Sequence, residues 1–197
     1  MTDFPQHPDL QITGHEIAYR RHLRLDVYRF RHRLYSGDWS GERVWDVVRR
    51  GAAVAVLLYY PDREAVVLVE QFRLPPLLCG YSPWVIEAVA GLVDRNNESL
   101  EQVARRETAE EAGARVELEG LYSMINVVRV GQVHLFYRAR MLDVDFVPGP
   151  ESLEARLFAE EEVPWDEIAF RTTKRTLEFF FADRRAGRYE FHAADIG

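Results

Sequence analysis

The stretch GLVDRNNESLEQVARRETAEEAGA, residues 91–114, constrains the fold most, because it holds a turn, a helix start, a carboxylate cluster and a helix stop. Ser99 followed by Gln102 is a capping-box signature that starts a helix at Leu100, and Gly113 supplies a left-handed stop. Such a helix runs about four turns. At about 100° per residue, Leu100, Val103, Ala104, Thr108 and Ala112 form one stripe facing the core. Glu107 and Glu111 fall inside that stripe, and Glu110 lies beside them. Carboxylates at i, i+3 and i+4 repel one another and partial burial raises the cost, so a cation is expected among them. Arg105, Arg106 or a distant arginine would satisfy acids on the polar side. Acids on the apolar side point instead to a hard divalent ion, since Mg²⁺ takes carboxylate, water and phosphate oxygens.

Glu98 followed by Arg106, Glu107, Thr108, Ala109, Glu110, Glu111, Ala112, Gly113 and Ala114 resembles the second half of the Nudix box, a long and specific motif. The segment from Gly91 to Glu98 is one residue longer than the family's usual spacing, and the extra residue falls in the turn-rich run Asp94, Arg95, Asn96, Asn97. The resemblance implies divalent-metal hydrolysis, with Mg²⁺ or Mn²⁺, of a nucleoside diphosphate joined to another moiety. It also implies an α/β (α+β) fold, the Nudix-type α/β/α sandwich with a mixed sheet.

A chain of 197 residues suffices for one such domain and a small appendage. The expected division is an N-terminal extension, residues 1–46, forming a small antiparallel dimerisation sheet, and a hydrolase domain, residues 47–197. With 47% hydrophobic and 29% charged residues, disordered and fibrous classes drop out. The net charge of −7 argues against a general nucleic-acid binder. No apolar run reaches membrane-span length and MTDFPQHPDL carries no export signal, so no membrane partner and a cytoplasmic location are expected. The single cysteine, Cys79, excludes an internal disulfide framework and a cysteine-based zinc site.

In chain order, the first fifteen residues read as a polar, mobile segment. Arginines interleaved with Leu25, Val27, Tyr28, Phe30 and Leu34 give a strand, with a second over residues 43–48. The apolar runs at 51–60 and 65–72 around Pro61, Asp62 and Arg63 form a central hairpin. Residues 74–82 read as a loop and 83–91 as the strand that leads into the helix. Strands come next near 116–121, 122–126 and 132–141, then a Pro/Gly/acid loop at 143–154 and a short strand at 155–158. A helical stretch begins at 164–167, with its main body at 173–185 capped by Thr172 or Thr173.

Beyond the box, YRFRHRLYSGDWS, AVAVLLYYPDREAVVLVEQFR and PWVIEAVAG resemble the bacterial ADP-ribose pyrophosphatase branch of the Nudix family. That branch implies a homodimer through the N-terminal sheet and hydrolysis of ADP-ribose to AMP and ribose 5-phosphate. Carried over by position, the metal ligands are Glu107, Glu110, Glu111 and the carbonyl of Ala90, with Arg73 and Arg50 as substrate contacts. The activating carboxylate falls in GPESLEAR, as Glu151 or Glu154, with Glu110 a further catalytic candidate. Tyr28, Phe30 or Trp45 would stack on adenine. The downstream proline that marks ADP-ribose enzymes is missing, its region being Asn126, Val127, Val128, Arg129 and Val130. A nucleotide-sugar diphosphatase acting on GDP-mannose is therefore the alternative substrate class. A non-catalytic nucleotide-sensing domain is the alternative of another kind, disfavoured by the intact Glu107, Glu110, Glu111 set.

Overall fold

Arginine alternating with apolar side chains gives the start of the chain three strands, β1 (Leu10–Arg20), β2 (Arg24–His32) and β3 (Arg43–Arg49), paired antiparallel in that order. The computed structural model describes residues 7–21, 23–49, 52–93, 95, 97–143 and 152–197. The expectation of a mobile start is corrected by β1, which pairs with β2 from Leu10 onward. Its weak alternation hides the strand, because two register shifts along the pair move side chains between faces. Asp26 on β2 is fully buried and takes His15 at 2.6 Å, Arg24 at 2.6 Å and Arg49 at 2.9 Å.

The chain divides by its contacts into Met1–Gly51 and Ala52–Gly197. In the second unit, β4 (Ala53–Tyr60) and β5 (Ala65–Phe72) flank a 3₁₀ turn at Pro61–Arg63. They pair only near that turn, over Leu58–Val67 to Tyr60–Ala65. Beyond it the hairpin opens, and β6 (Trp84–Glu87) pairs with β5 while β7 (Val89–Leu92) pairs with β4. The carboxylate helix therefore leaves from a strand held between the two arms of the hairpin. Residues 74–82, expected as a loop, contain the short helix α1 (Leu74–Leu78), whose Pro75 and Pro76 occupy first-turn positions where no N–H is needed.

After α2 (Leu100–Glu107) come β8 (Val116–Val127), β9 (Gln132–Met141), β10 (Ser152–Phe158), α3 (Arg171–Ala186) and β11 (His192–Ile196). The sheet runs β10-β5-β4-β9-β8-β11, with β4–β9 and β8–β11 parallel and its other pairs antiparallel. The two strands expected at 116–126 are one, kept continuous by bulges. Residues 144–151 of the expected loop lie outside the described residues, and β10 begins at Ser152 rather than Ala155. Residues 164–167 form turns, not helix, and α3 starts after Phe170. Thr172 and Thr173 are buried in its first turn instead of capping it. The parallel strand β11 was not expected, since HAADI is too short and too weakly apolar to announce itself.

Apolar residues on both pleats of β4 and β5 demand cover on both faces, and two helices supply it. Val54, Val56, Leu58, Val67 and Val69 pack with Val103, Ala104 and Ala112 of the carboxylate helix and its last turn. Leu57, Val66 and Leu68 pack on the other side with Leu177, Phe180 and Phe181 of α3. Each fully buried phenylalanine contributes about 1.5–3 kcal/mol relative to exposure. The second unit is thus the helix–sheet–helix sandwich that the motif implied.

Candidate functional site

The helix that carries the acids starts where the sequence dictates. Ser99 Oγ accepts the Gln102 N–H at 3.2 Å, and Gln102 Oε1 accepts the Ser99 N–H at 2.8 Å, completing the capping box. Val103, Ala104, Thr108, Glu111 and Ala112 are buried. The final turn, Thr108–Ala112, is a π-helix rather than a fourth α turn, closed by Gly113 at φ 62°. Thr108 Oγ1 donates to the Ala104 carbonyl at 2.7 Å within it. A π turn changes the angular register of the residues beyond it and is common at functional sites, and here it separates Glu107 from Glu110 and Glu111.

Glu111 is 8% exposed and is clamped from two strands. Gln71 Nε2 of β5 donates to its Oε1 at 2.7 Å, and the Ala90 N–H of β7 donates to its Oε2 at 3.1 Å. Burial pushes the Glu111 carboxyl up to about 7, with the two donors opposing and the negative charges of Glu107 and Glu87 adding. Glu107 lies across Gly91, where a Cβ would stand 1.8 Å from its Cδ. That approach accounts for glycine at this position.

Arg106 is the cation that the acid cluster demands from within the chain. Its Nε and Nη2 donate to Glu98 at 2.9 and 3.0 Å, and its Nη1 donates to Glu107 at 2.5 Å and Glu110 at 3.1 Å. Nη2 also reaches the Leu92 carbonyl at 3.2 Å. The hydrogen bond from Arg106 holds the Glu98 carboxyl below its usual range. Glu110 is half exposed and meets Arg95 at 3.1 Å as well. The ion-pair account thus explains Glu98, Glu107 and Glu110, and Glu111 receives only neutral donors from the described residues.

Arg73 at the end of β5 donates through Nε to Glu87 of β6 at 2.7 Å. Glu87 is 2% exposed, and burial pushes its carboxyl up against the lowering effect of Arg73. Val69 pairs with Glu87 in register, so Glu87, Gln71 and Arg73 share the sheet face that carries the acid helix. Sequence reasoning gave Gln71 and Glu87 no role. A lone acid in the apolar run WVIEAVAG is the signal that could have found Glu87.

Other expected residues are placed elsewhere. Glu154 lies on a strand, 3.4 Å from Arg156. Ala155 packs in the cluster of the acid helix and Phe158 in that of α3, so Glu154 points toward the α3 face. Structure does not bring it to the acids. Ser152 pairs with Gln71 in register, while Glu151 and Arg50 lie outside the described residues. Tyr28 and Trp45 are cross-strand partners in the N-terminal sheet. Phe30 meets Trp45 edge-on at 5.2 Å, Arg49 donates to the Tyr28 hydroxyl at 2.8 Å, and Trp45 is 64% exposed.

Among the described residues, no three His, Cys, Asp or Glu side chains form a ready-made metal-holding group. Arg106 draws Glu107 and Glu110 to itself, which accounts for this. The donor chemistry nonetheless fits a hard divalent cation, since the set is all oxygen and Glu111 keeps its charge unmatched by a described cation. Ala90 enters through its N–H, whereas the resemblance assigns its carbonyl to metal. No helix of the described residues is long and apolar enough to cross a membrane.

A family model described as NUDIX domain matches residues 49–179. An ADP-ribose pyrophosphatase of Escherichia coli is 45% identical over 105 residues, 53% of this chain and 50% of that protein. A GDP-mannose pyrophosphatase of Yersinia pestis is 37% identical over 103 residues, 52% of this chain and 50% of that protein. The matches thus span about half the length of these curated relatives. The crystal structure of a NUDIX hydrolase from Nitrosomonas europaea superposes with a TM-score of 0.64 at 34% identity, covering 86% of this chain and 94% of that one.

Proposed function

Because the chain belongs to the NUDIX domain family, we propose that it is a divalent-metal-dependent hydrolase of the diphosphate in ADP-ribose, giving AMP and ribose 5-phosphate. The observation that carries the reading is Glu111, buried and held by neutral donors beside Glu107. Identity to an ADP-ribose pyrophosphatase favours this substrate. Identity to a GDP-mannose pyrophosphatase makes GDP-mannose the second reading.

Glu107 and Glu111 would hold Mg²⁺ or Mn²⁺, aided by Glu110 and the Ala90 carbonyl. Such a cation would supply charge neutralisation of the diphosphate, polarisation of a phosphoryl oxygen and a lowered pKa for an attacking water. Arg106 keeps the remaining acid charge compensated and ties the helix to the Leu92 carbonyl before it. Arg73 offers a guanidinium to substrate phosphate, oriented by the buried Glu87. Glu151 would take the proton of the attacking water, a role carried over from the resemblance alone. Arg50 is a further phosphate contact, and Tyr28, Phe30 or Trp45 the adenine stack, on resemblance alone.

Residues 1–46 would form the dimerisation sheet and 47–197 the hydrolase domain, in a cytoplasmic homodimer. Exposed Ile17, Tyr19, Val44, Trp45 and Val48 on the N-terminal sheet support such an interface. The deciding experiment measures product release from ADP-ribose, GDP-mannose and NADH with Mg²⁺ and with chelator. ADP-ribose leading and chelator stopping it supports the proposal. GDP-mannose leading moves the substrate, and ligand binding without turnover moves the chain to the sensing class.

A further inference from the structure

We infer that Gln71 is a positioning residue that orients the Glu111 carboxylate for a divalent cation without setting a positive charge beside it. The inference rests on the proposed metal site. Gln71 is 3% exposed and lies on the face of β5 that carries Val69, against the acid helix. Its amide donates to Glu111 Oε1 at 2.7 Å, while the Ala90 N–H donates to Oε2 at 3.1 Å. One donor on each oxygen, from two different strands, fixes the plane of the carboxylate. An ionised carboxylate has about four lone-pair sites, so these two bonds leave one on each oxygen for a metal ion.

Neutral donors are essential to this arrangement. A guanidinium in the place of the Gln71 amide would set a positive charge against a carboxylate that receives only neutral donors from the described residues. The nearest such group in the chain is Arg73, just past the end of β5, and the buried Glu87 holds it at 2.7 Å. Gln71 therefore does for Glu111 what an arginine does for the other acids, without the positive charge.

The test uses the full chain and Mn²⁺ itself, titrated by calorimetry and by the resonance signal of free Mn²⁺, together with the Mg²⁺ concentration at half-maximal rate. Gln71→Met removes the donor at nearly constant volume and should weaken Mn²⁺ binding by a factor on the order of 10 to 100. Gln71→Lys keeps a donor facing Glu111, yet should also weaken Mn²⁺ binding because it carries charge. Either folded variant binding Mn²⁺ as tightly as the unsubstituted chain overturns the inference and leaves the metal site standing. Absence of saturable Mn²⁺ uptake by the unsubstituted chain overturns both.

Discussion

Glu107 rests directly on Gly91: a Cβ built on the glycine would lie 1.8 Å from Cδ and 1.9 Å from Oε1 of that glutamate. Strand β7 and the acid helix approach this closely only because residue 91 has no side chain. Gly91→Ala should displace the Glu107 carboxylate from Arg106 and from the proposed metal position. Since misplacement of a reacting group by about 1 Å can cost roughly 100-fold, kcat/KM should fall by at least about tenfold. Steady-state kinetics at saturating Mg²⁺, with circular dichroism to check folding, decides it, and an unchanged rate would mean that Glu107 is not a ligand.

Glu111→Gln should lower turnover by a factor on the order of 100 to 1,000, as expected when a charge that stabilises the transition state is removed. The fold should survive, because a glutamine oxygen can still accept the Ala90 N–H and the Gln71 amide can reverse to accept from the new NH₂. Metal-free thermal stability should be no lower, since a desolvated charge is lost. A variant that retains most of its rate contradicts the metal assignment.

Asp183 on α3 ties down the end of the chain by accepting from the Tyr122 hydroxyl at 2.9 Å and the Glu190 N–H at 3.1 Å, with His192 at 2.8 Å. Burial pushes its carboxyl up, but His192, the Glu190 N–H and Tyr122 outweigh burial and hold it below its ordinary value of 3.8. A lowered folded-state pKa means that the unfolded chain takes up the proton first as pH falls. Asp183 therefore stabilises the fold above about pH 4, and that contribution is lost progressively below it. Urea melts at pH 7, 5 and 3 should show Asp183→Asn less stable at neutral pH and less sensitive to acid than the unsubstituted chain. Equal acid sensitivity would remove Asp183 as the cause.

Ser99→Ala removes the side-chain half of the capping box and should cost about 1 kcal/mol of stability. The acid helix is held to the sheet by Val103 and Ala104, both fully buried, so the loss should fray its first turn without releasing Glu107 or Glu111. Denaturant melts and Mn²⁺ titration together check this, with a lower midpoint and an unchanged metal affinity as the expected pair.

Val44 and Val48 are 51% and 61% exposed on one face of β3, and a homodimer through that face would cover them. Val44→Glu combined with Val48→Lys should convert the proposed dimer to monomer by sedimentation equilibrium at micromolar concentration. An unchanged mass would place any interface elsewhere.

Local signals made the central elements readable. Ser99, Gln102 and Gly113 delimited the acid helix because caps act within a few residues, and the apolar runs of β4 and β5 could only be interior strands. Strands β1 and β11 were missed because their pairing with β2 and β8 is set by distant partners rather than by their own alternation. Glu154 read as a loop acid until its pairing opposite Glu70 put it on a strand directed toward α3.

The sequence alone determined the helix that presents the acids, its limits and the hard-oxygen chemistry of its side chains, because capping, periodicity and ligand type are properties of neighbouring residues. Only tertiary structure decided how those acids differ. Arg106 shares its one positive charge among Glu98, Glu107 and Glu110, while Gln71 and Ala90, brought from two strands, leave Glu111 buried and charged only at a cost. Burial and long-range hydrogen bonding fix the electrostatic state of a carboxylate, and neither is a local property of the chain.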